Sequence, residues 1–308
     1  MGLVLVTGGA GFIGSAVVRA LRARGDAVRV FDALRTGGER AHLAGLELEL
    51  VVGDIRDEGA VCAAMDGVDA CLHLAAESHV SRSLGDPRGF IGVNVDGTAA
   101  VLAAARRVGL PRLLHMSTDE VFGAAPPGVA FGVGDRHRPG NPYAASKAAA
   151  EALIWAWRHS FDLPVAMVRT TNNYGPRQHA EKAIPCWVRM AVEQGVVVIH
   201  GDGSPTRDWL AVEDCAAGLL AALDHFEPGA VDHLAGRDPR SNRAVAEAVA
   251  ALCGGAPVRC GPARPGQDAA YALDDRASRA RLGWAPCTNF AEGLAATVVW
   301  HAARCARR

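Results

Sequence analysis

A glycine-rich segment near the N-terminus, TGGAGFIG at residues 7–14, constrains the fold more than any other part of the chain. The residues LVLV before it predict a strand, and the residues after it place apolar side chains at helical spacing as far as Gly25. Such a turn lets a pyrophosphate approach the backbone at a helix N-terminus. The residues expected at this dinucleotide site are Gly8, Gly11, Phe12, Ile13 and Gly14.

Six further apolar runs follow at intervals, and each has the length and composition of a buried strand. They read AVRVFD, LELVVGD, ACLHLAA, RLLHMST, PVAMVRT and AVDHLAG, with alanine-rich helical stretches such as 97–108 and 143–159 between them. Continuous apolar strands that alternate with helices indicate a parallel sheet covered on both faces. The expected fold class is therefore α/β, a doubly wound parallel sheet of the Rossmann type.

The alternation becomes irregular after Thr171, which indicates a smaller C-terminal lobe. Residues 1–171, with a return segment at 207–236, are expected to form the dinucleotide-binding domain, and 172–206 with 237–308 to form the lobe. Segment 207–226 is interpreted as a return to the helical layer of the main sheet. Helices are predicted in the rest at Ile184–Gln194, Arg243–Cys253 and Asn289–Arg304. Ligands of open α/β sheets lie beyond the carboxyl ends of the strands, so the lobe would close over that crevice.

Charge and cysteine content narrow the class of partner. The 308 residues carry a formal net charge of −1 with both signs mixed, which disfavours nucleic acid or an anionic membrane and favours a small molecule. The eight cysteines contain no C-x-x-C pair and no His/Cys ligand spacing, so neither a metal site nor a disulfide framework is expected. No signal peptide or membrane span is found near the N-terminus, so a cytoplasmic protein is expected.

The residues after the second to fourth strands extend the dinucleotide site. Asp32 ends the second strand about 20 residues after the glycines, where an acidic side chain binds ribose hydroxyls and repels a 2′-phosphate. The expected cofactor is therefore NAD rather than NADP. Asp54 and Ile55 could contact the adenine, and small Ala75 lets the backbone pass close to a flat cofactor.

A tyrosine and a lysine four residues apart, Tyr143 and Lys147, lie on one face of a predicted helix that Asn141 caps and Pro142 begins. A cationic lysine would lower the pKa of the tyrosine, which could then accept a hydroxyl proton while a hydride leaves for a nicotinamide. Before this helix, MSTDEVFG places Asp119 beside Glu120. These adjacent carboxylates are either solvated at a strand end or kept for their proton affinities.

Motifs over nearly the whole chain resemble those of the extended short-chain dehydrogenase/reductase family. They are TGGAGFIG, HLAAESHVSRS, MSTDEVFG, NPYAASK, RTTNNYGPRQ with EKAIP, HGDGSPTRDWLAVED, RPGQD and LGWAP. Within the family, STDEV and NNYGPRQHAEKAIP resemble the nucleotide-sugar 4,6-dehydratases that act on dTDP-glucose in deoxysugar biosynthesis. The resemblance implies a homodimer formed through helices 97–108 and 143–159, whose alanine-rich surfaces allow close packing.

The resemblance also implies roles for five catalytic residues. Thr118 would hydrogen-bond the sugar near Tyr143, with Lys147 beside it. Once the C4 hydroxyl is oxidised to a ketone, Glu120 as general base would remove the C5 proton, and Asp119 as general acid would protonate the departing C6 hydroxyl. Two nearby carboxylates with separated pKa values supply both forms.

The residues that the resemblance assigns to the nucleotide sugar are Ser78, Asn172, Lys182, His200, Arg207, Asn242, Arg264 and Gln267. Arginines among them match phosphate oxygens through their fixed fork. Three features depart from the dehydratase pattern: Gln267 replaces a usual histidine, His200 a frequent tyrosine, and segment 33–43 is short, as in UDP-sugar epimerases. An NDP-hexose 4-epimerase, which needs neither carboxylate, and a non-catalytic dinucleotide-binding module are the alternative functions.

Overall fold

The computed structural model describes residues 2–305, and twelve strands are found in that part of the chain. They are β1 (Leu3–Thr7), β2 (Ala27–Asp32), β3 (Glu49–Val52), β4 (Ala70–His73), β5 (Leu113–Thr118), β6 (Val165–Thr170), β7 (Asn172–Tyr174), β8 (Val197–His200), β9 (Thr206–Ala211), β10 (Val231–Leu234), β11 (Pro239–Ser241) and β12 (Val258–Gly261). Seven of them form one parallel sheet in the order β10-β6-β5-β4-β1-β2-β3. The predicted doubly wound α/β fold is confirmed.

Helices connect the strands and cover the sheet. They are α1 (Phe12–Arg24), α2 (Glu58–Ala64), α3 (Val80–Gly85), α4 (Pro87–Ile91), α5 (Gly97–Val108), α6 (Pro142–Phe161), α7 (Ala183–Gln194), α8 (Val212–Asp224), α9 (Asn242–Leu252), α10 (Arg276–Leu282) and α11 (Phe290–Cys305). Short 3-10 turns occupy Arg40–Leu43 and Asp119–Phe122, and a π-helical turn at Gly92–Asp96 leads into α5.

The direction of strand addition changes between β1 and β4. From β1 the chain adds β2 and β3 on one side, and from β4 it adds β5 and β6 on the other. The loops at the carboxyl ends of β1 and β4 therefore diverge and leave a crevice between them. In open α/β sheets such a crevice is the usual place for a ligand.

Two hydrophobic layers hold the sheet between its helices. Helices α1 and α8 pack on one face, where Val17, Leu21 and Leu219 are fully buried, and α2 and α5 pack on the other, where Val61 and Val101 are fully buried. Because both faces are covered, the central strands β1, β4, β5 and β6 are buried at nearly every position rather than at alternate ones. A rigid sheet results, and it fixes the positions of the residues at its carboxyl edge.

The ends of the two long helices near the crevice follow from local chemistry. Asn141 caps α6 by accepting the backbone N–H of Ala144 at 2.9 Å, and Pro142 occupies the first helical position, as expected. Helix α5 ends at Gly109, whose φ of 65° lies in the left-handed region that favours glycine. The predicted range of α5 is confirmed, and α6 extends slightly past both predicted ends.

A smaller lobe is built around α7, α9 and α11, with its own apolar core. Its strands form a three-stranded sheet, β11-β9-β7, and a pair, β12-β8. The interpretation of 207–226 as part of the helical layer is wrong at its start, because β9 belongs to this small sheet and only α8 packs on the main sheet. Within the two predicted domain ranges, residue 1 and residues 306–308 lie outside the described residues.

Residues 2–305 contain neither a membrane-spanning helix nor a cluster of metal-binding side chains. None of the helices there is long and apolar enough to cross a membrane. In the same part of the chain no group of three or more His, Cys, Asp and Glu side chains is arranged to hold a metal ion.

Candidate active site

An open cleft with a volume of about 1310 Å³, including the solvent at its mouth, lies at the carboxyl edge of the sheet over the β1–β4 crevice. The residues predicted to hold a dinucleotide all line it: Gly8, Gly11, Phe12, Ile13, Gly14, Asp32, Asp54, Ile55, Ala75, Tyr143 and Lys147. Sequence reasoning did not single out several other lining residues, among them Arg35, Val93, Gln178 and His179. The fold thus brings the separate sequence motifs into one continuous site.

The glycine turn has no room for side chains. Gly8 has a φ of 70°, and a Cβ on it would lie 2.8 Å from the Cα of Ala75. A Cβ on Gly14 would collide with the carbonyl oxygen of Gly8. Glycine at these positions leaves the N-terminus of α1 open toward the cleft, and its N–H groups can face an anion such as a pyrophosphate.

Asp32 is held rigidly at the floor of the cleft. Its Oδ2 accepts the backbone N–H of Ala10 at 2.9 Å, and its Oδ1 accepts that of Leu34 at 2.8 Å. Burial raises the pKa of Asp32, against the lowering effect of these two bonds. A fixed carboxyl here accepts hydrogen bonds from vicinal ribose hydroxyls and disfavours a 2′-phosphate.

Arg35 lines the cleft together with Asp32 and is already paired. Arg35 contacts Asp54 at 3.1 Å, and Asp54 also accepts two side-chain bonds from Arg56. These bonds lower the pKa of Asp54 to about 2, so it is charged at neutral pH. Because Arg35 already pairs with a carboxylate, it is less able to hold a 2′-phosphate. The site therefore fits NAD better than NADP.

Tyr143 and Lys147 lie one turn apart on α6 and are both buried. The Lys147 ammonium donates to the carbonyl oxygen of Met116 at 2.7 Å and lies 3.0 Å from Nε2 of His115. Burial lowers the pKa of Lys147 to about 8. Burial and the nearby Glu120 raise the pKa of Tyr143, while a hydrogen bond with Thr118 lowers it. The pKa of Tyr143 is therefore raised overall, and the lowering expected from Lys147 is not found.

The two adjacent carboxylates do not lie on the strand but in the 3-10 turn that follows it. Thr118 caps this turn through a 3.3 Å bond from the backbone N–H of Glu120, and its hydroxyl donates to Asp119 Oδ1 at 3.1 Å. Asp119 is 3% exposed and its Oδ2 has no hydrogen-bond partner, whereas Glu120 is half-buried. Burial and the charge of Glu120 raise the pKa of Asp119 to about 8.

The environments of the two carboxyl groups differ. At neutral pH Asp119 is a neutral carboxylic acid that can donate a proton, as a general acid must. Glu120 meets polar partners instead: Asn141 Nδ2 donates to its Oε2 at 3.0 Å, and the Tyr271 hydroxyl lies 3.4 Å from the same oxygen. The pair is therefore not a solvated strand end.

Sequence reasoning missed the partners of Glu120. Asn141 was recognised only as a helix cap, and Tyr271 was not singled out. The Tyr271 hydroxyl also donates to Asp268 at 2.8 Å, and the Arg207 guanidinium stacks on its ring at 4.5 Å. Arg207 was a predicted substrate residue and Asp268 lies in the RPGQD motif, whereas no sequence signal pointed to Tyr271.

Three cationic side chains lie near the carboxyl pair formed by Asp119 and Glu120. The Lys182 ammonium donates to the carbonyl oxygen of Ser78 at 2.7 Å, and burial lowers its pKa. Arg207 is 6% exposed and donates to the carbonyl oxygens of Thr206 and Asp268. Arg264 is half-buried with no partner at Nε, and burial lowers its pKa while Glu120 raises it. This cluster can bind a diphosphate.

Of the remaining predicted substrate residues, Ser78 follows β4 in the main domain and the others lie in the lobe. Ser78 lines the cleft, and Asn172 has a buried Oδ1 without a partner at the start of β7. His200 is exposed at the end of β8, and Asn242 begins α9. Gln267 is half-buried in the segment that runs beside Thr206. Of the eight predicted substrate residues, Ser78 and Lys182 line the cleft. The other six are not among the lining residues in the described part of the chain: Asn172, His200, Arg207, Asn242, Arg264 and Gln267.

Comparison with known proteins adds relatives of nearly full length. The profile of the NAD dependent epimerase/dehydratase family matches residues 4–234. The chain is 41% identical over 310 residues to a dTDP-glucose 4,6-dehydratase of Streptomyces niveus, which covers 97% of this chain and 92% of the relative.

Solved structures agree with this sequence match. The crystal structure of DesIV, a dTDP-glucose 4,6-dehydratase from Streptomyces venezuelae with NAD and TYD bound, superposes with a TM-score of 0.94 at 39% identity, over 97% of this chain and 96% of that one. A UDP-glucose 4-epimerase from Thermus thermophilus in complex with NAD gives a TM-score of 0.90 at 33% identity, over 97% and 98% of the two chains.

Proposed function

The chain belongs to the NAD dependent epimerase/dehydratase family, and we propose that within it the protein is a nucleotide-sugar 4,6-dehydratase that converts dTDP-glucose to dTDP-4-keto-6-deoxyglucose. The observation that carries this proposal is the carboxyl pair, in which a buried, neutral Asp119 lies beside a half-buried Glu120 next to Tyr143. Water elimination needs an acid and a base on neighbouring carbons, and this pair supplies both. The enzyme is a lyase.

The cofactor is NAD, held by the glycine turn, Asp32 and the residues around Ala75. When bound, NAD supplies a hydride acceptor for oxidation of the sugar at C4 and returns that hydride at C6, so no net oxidant is consumed. The observed geometry fits this group, because the turn excludes side chains and Asp32 has a fixed carboxyl.

Tyr143 accepts the proton of the C4 hydroxyl in the first step, with Thr118 hydrogen-bonded beside it. Because burial and Glu120 raise the pKa of this tyrosine, it needs nearby positive charge to act as a base. Lys147 supplies one such charge, and an oxidised nicotinamide carries another. Both favour the phenolate.

The carboxyl pair performs the elimination that follows. The C4 ketone acidifies the C5 hydrogen, and Glu120 removes it as a proton while the electron pair forms the C5–C6 double bond. Asp119 gives its proton to the C6 hydroxyl, which leaves as water. A proton then returns to C5 when the hydride returns to C6. Glu120 returns to C5 the proton that it removed, and the proton that Tyr143 took from the C4 hydroxyl replaces, through solvent, the one that Asp119 gave to the departing water.

The lobe holds the nucleotide part of the substrate. Lys182, Arg207 and Arg264 bind the diphosphate, with Ser78 and Asn172 on the sugar side. His200, Asn242 and Gln267 belong to the nucleoside end. Residues 1–171 with 207–236 hold the cofactor, and residues 172–206 with 237–308 hold the substrate, except that the strand 206–211 belongs to the lobe.

A 4-epimerase is the competing function, and it shares Thr118, Tyr143, Lys147 and NAD with the dehydratase. It has no use for a proton donor at C6. A buried carboxylic acid with an unpartnered oxygen lowers the stability of the fold, so its presence at this position favours the elimination.

The protein acts in the cytoplasm as a homodimer formed through α5 and α6. The exposed positions of α6 include Ala145, Ala149, Ala152 and Ala156, which follow one another at helical spacing. Small side chains let a second helix approach closely, and exposed Trp155 adds apolar area nearby.

The experiment that tests the function is incubation with dTDP-glucose and, in parallel, UDP-glucose, with no cofactor added. Mass spectrometry of the products shows the loss of one water from dTDP-glucose if the proposal is right. An isobaric product identifies an epimerase, and unchanged substrates in both incubations contradict both functions.

A further inference from the structure

We infer that His115, a buried residue of β5 outside the predicted site, is a positioning residue that holds the ammonium of Lys147 by accepting a hydrogen bond at Nε2. Lys147 Nζ lies 3.0 Å from this nitrogen. The inference rests on the proposed function for the role of Lys147, although the contact itself does not.

The surroundings make His115 an acceptor. It is 1% exposed, and burial, the Lys147 charge and His73 lower its pKa well below the ordinary value for histidine. A neutral imidazole with an ammonium at Nε2 carries its proton on Nδ1, and Nδ1 has no partner. Nothing else in the described chain hydrogen-bonds the ring, so the bond to Lys147 is the one polar contact that this side chain makes.

His73 on the neighbouring strand fixes the ring. The two imidazole centroids are 5.0 Å apart, and His73 and His115 are register partners of β4 and β5. His73 Nδ1 lies 2.8 Å from the Thr7 hydroxyl, and its Nε2 lies 3.1 Å from that of Thr98. Both ring nitrogens of His73 are thus occupied, and it cannot compete for the ammonium.

The ammonium is thereby aimed at the cleft. Of its three N–H donors, one is directed to Met116 and one to His115. The third is left for the cleft that Lys147 lines together with Tyr143, where NAD would bind. A lysine on a flexible stem would otherwise have several rotamers available.

The neutral acceptor also favours the charged form of Lys147. The ionisable groups around this lysine are Tyr143 and Glu151 on its own helix, His115 on β5, His73 on β4, and Arg169 on β6, which pairs with Glu151. Burial lowers the pKa of Lys147, and Glu151 alone among the charged groups opposes this. Loss of the acceptor at His115 therefore lowers the pKa of Lys147 further.

Nuclear magnetic resonance tests the contact without any turnover. In NAD-loaded protein labelled with [15N]histidine, His115 should be a neutral Nδ1–H tautomer between pH 6 and pH 9, with an Nε2 signal that moves as Lys147 titrates. Lys147→Met should abolish that movement. An Nε2–H tautomer, or a signal that the lysine substitution leaves unchanged, overturns the inference even if the protein proves not to be a dehydratase.

The pH dependence of C4 oxidation, followed by cofactor absorbance after mixing with dTDP-glucose, tests the consequence. His115→Leu should move the high-pH loss of the rate constant to lower pH by about one unit, whereas His115→Gln, which keeps an acceptor, should restore it. His301→Gln, a buried histidine of α11 that contacts the carbonyl oxygen of Gly175 instead, is the control and should leave the profile unchanged. A folded Leu variant with the wild-type profile contradicts the inference. If that variant does not fold, the tautomer of the wild-type histidine still decides it.

Discussion

Asn141 donates a hydrogen bond from Nδ2 to Glu120 Oε2 at 3.0 Å, while its Oδ1 accepts the backbone N–H of Ala144 at 2.9 Å. One amide therefore caps the helix that carries Tyr143 and orients the carboxylate expected to remove the C5 proton. Since Oε2 of Glu120 is occupied in this way, its Oε1 is the oxygen left for the substrate.

The two roles of Asn141 can be separated by substitution. Serine is as good an N-cap as asparagine, but its side chain is too short to reach Glu120 as well. We expect Asn141→Ser to keep the free energy of unfolding and to lower turnover about 10- to 100-fold, because the base is no longer oriented. Asn141→Ala should show the same loss of turnover and in addition lose about 1 kcal/mol of stability. Urea unfolding and steady-state kinetics of both variants check this, and wild-type turnover in the serine variant contradicts it.

The raised pKa of Asp119 predicts a pH-dependent difference in stability. In the folded protein its pKa is about 8, above the model-peptide value of 3.8, so the folded state binds the proton more tightly than the unfolded state. Its contribution to stability is complete below pH 3.8 and declines as the pH rises toward 8. Asp119→Asn removes this decline.

The measurement is the unfolding free energy of Asp119→Asn minus that of wild type, in urea at several pH values. The difference should increase between pH 5 and pH 8 by up to about 1.4 kcal/mol per pH unit. Asp66→Asn, at an exposed position, is the control and should give a flat difference. A flat difference for Asp119→Asn as well means that the carboxyl is already ionised at neutral pH.

Local chemistry explains which parts of the fold could be predicted from the sequence. The β1 turn, α5 and α6 carry glycine, proline and capping residues that act over a few positions, and their bounds were predicted to within two residues. The strands β7 and β11 were missed because they have only three residues each, and because their pairing joins segments far apart in the chain. The strand-like residues of β9 were taken for part of a helical layer because α8 follows them directly.

In the candidate site, too, features set by neighbouring residues could be predicted and contacts between distant residues could not. Asp119 and Glu120 were recognisable because they are adjacent in one motif. Tyr271 reaches Glu120 across 151 positions, and Lys147 meets His115 across 32. No spacing rule links such pairs, so only the folded chain shows which buried polar groups share a hydrogen bond.

Purified protein should carry NAD without any addition, because the hydride is returned within each turnover. Asp32→Ala removes the acceptor for the ribose hydroxyls and should reduce the NAD that remains after gel filtration. Chromatography of the supernatant after acid denaturation measures the NAD carried by the wild-type protein and the NAD retained by Asp32→Ala. NADP in place of NAD, or a wild-type protein that never binds NAD, contradicts the role of Asp32.

The proposed dimer predicts a position-specific effect of a bulky charge. Ala149→Arg places a guanidinium on the exposed alanine face of α6 and should convert the dimer to a monomer without unfolding, since arginine is a good helix former. Ala296→Arg, at an exposed position of α11, is the matched control and should leave the dimer intact. Light scattering coupled to size exclusion reads the mass, and a monomeric wild type contradicts the proposal.

The two carboxylates should fail at different points of the reaction. Glu120→Gln keeps Tyr143 and should still allow C4 oxidation, but it cannot remove the C5 proton. Asp119→Asn keeps the base and should allow exchange at C5 while water leaves slowly. The loss of a positioned acid or base costs on the order of 100- to 10,000-fold in rate, so both defects are measurable.

Deuterated water distinguishes the two defects directly. With dTDP-glucose as substrate, Asp119→Asn should incorporate deuterium at C5 if the 4-keto intermediate persists, and Glu120→Gln should not. Mass spectrometry of the recovered sugar nucleotide reads the label, and absorbance of the reduced cofactor shows in each variant that C4 oxidation has occurred. Water loss at the wild-type rate in both variants would mean that neither carboxyl takes part in the elimination, and the roles given to Asp119 and Glu120 would be wrong even though the enzyme is a dehydratase.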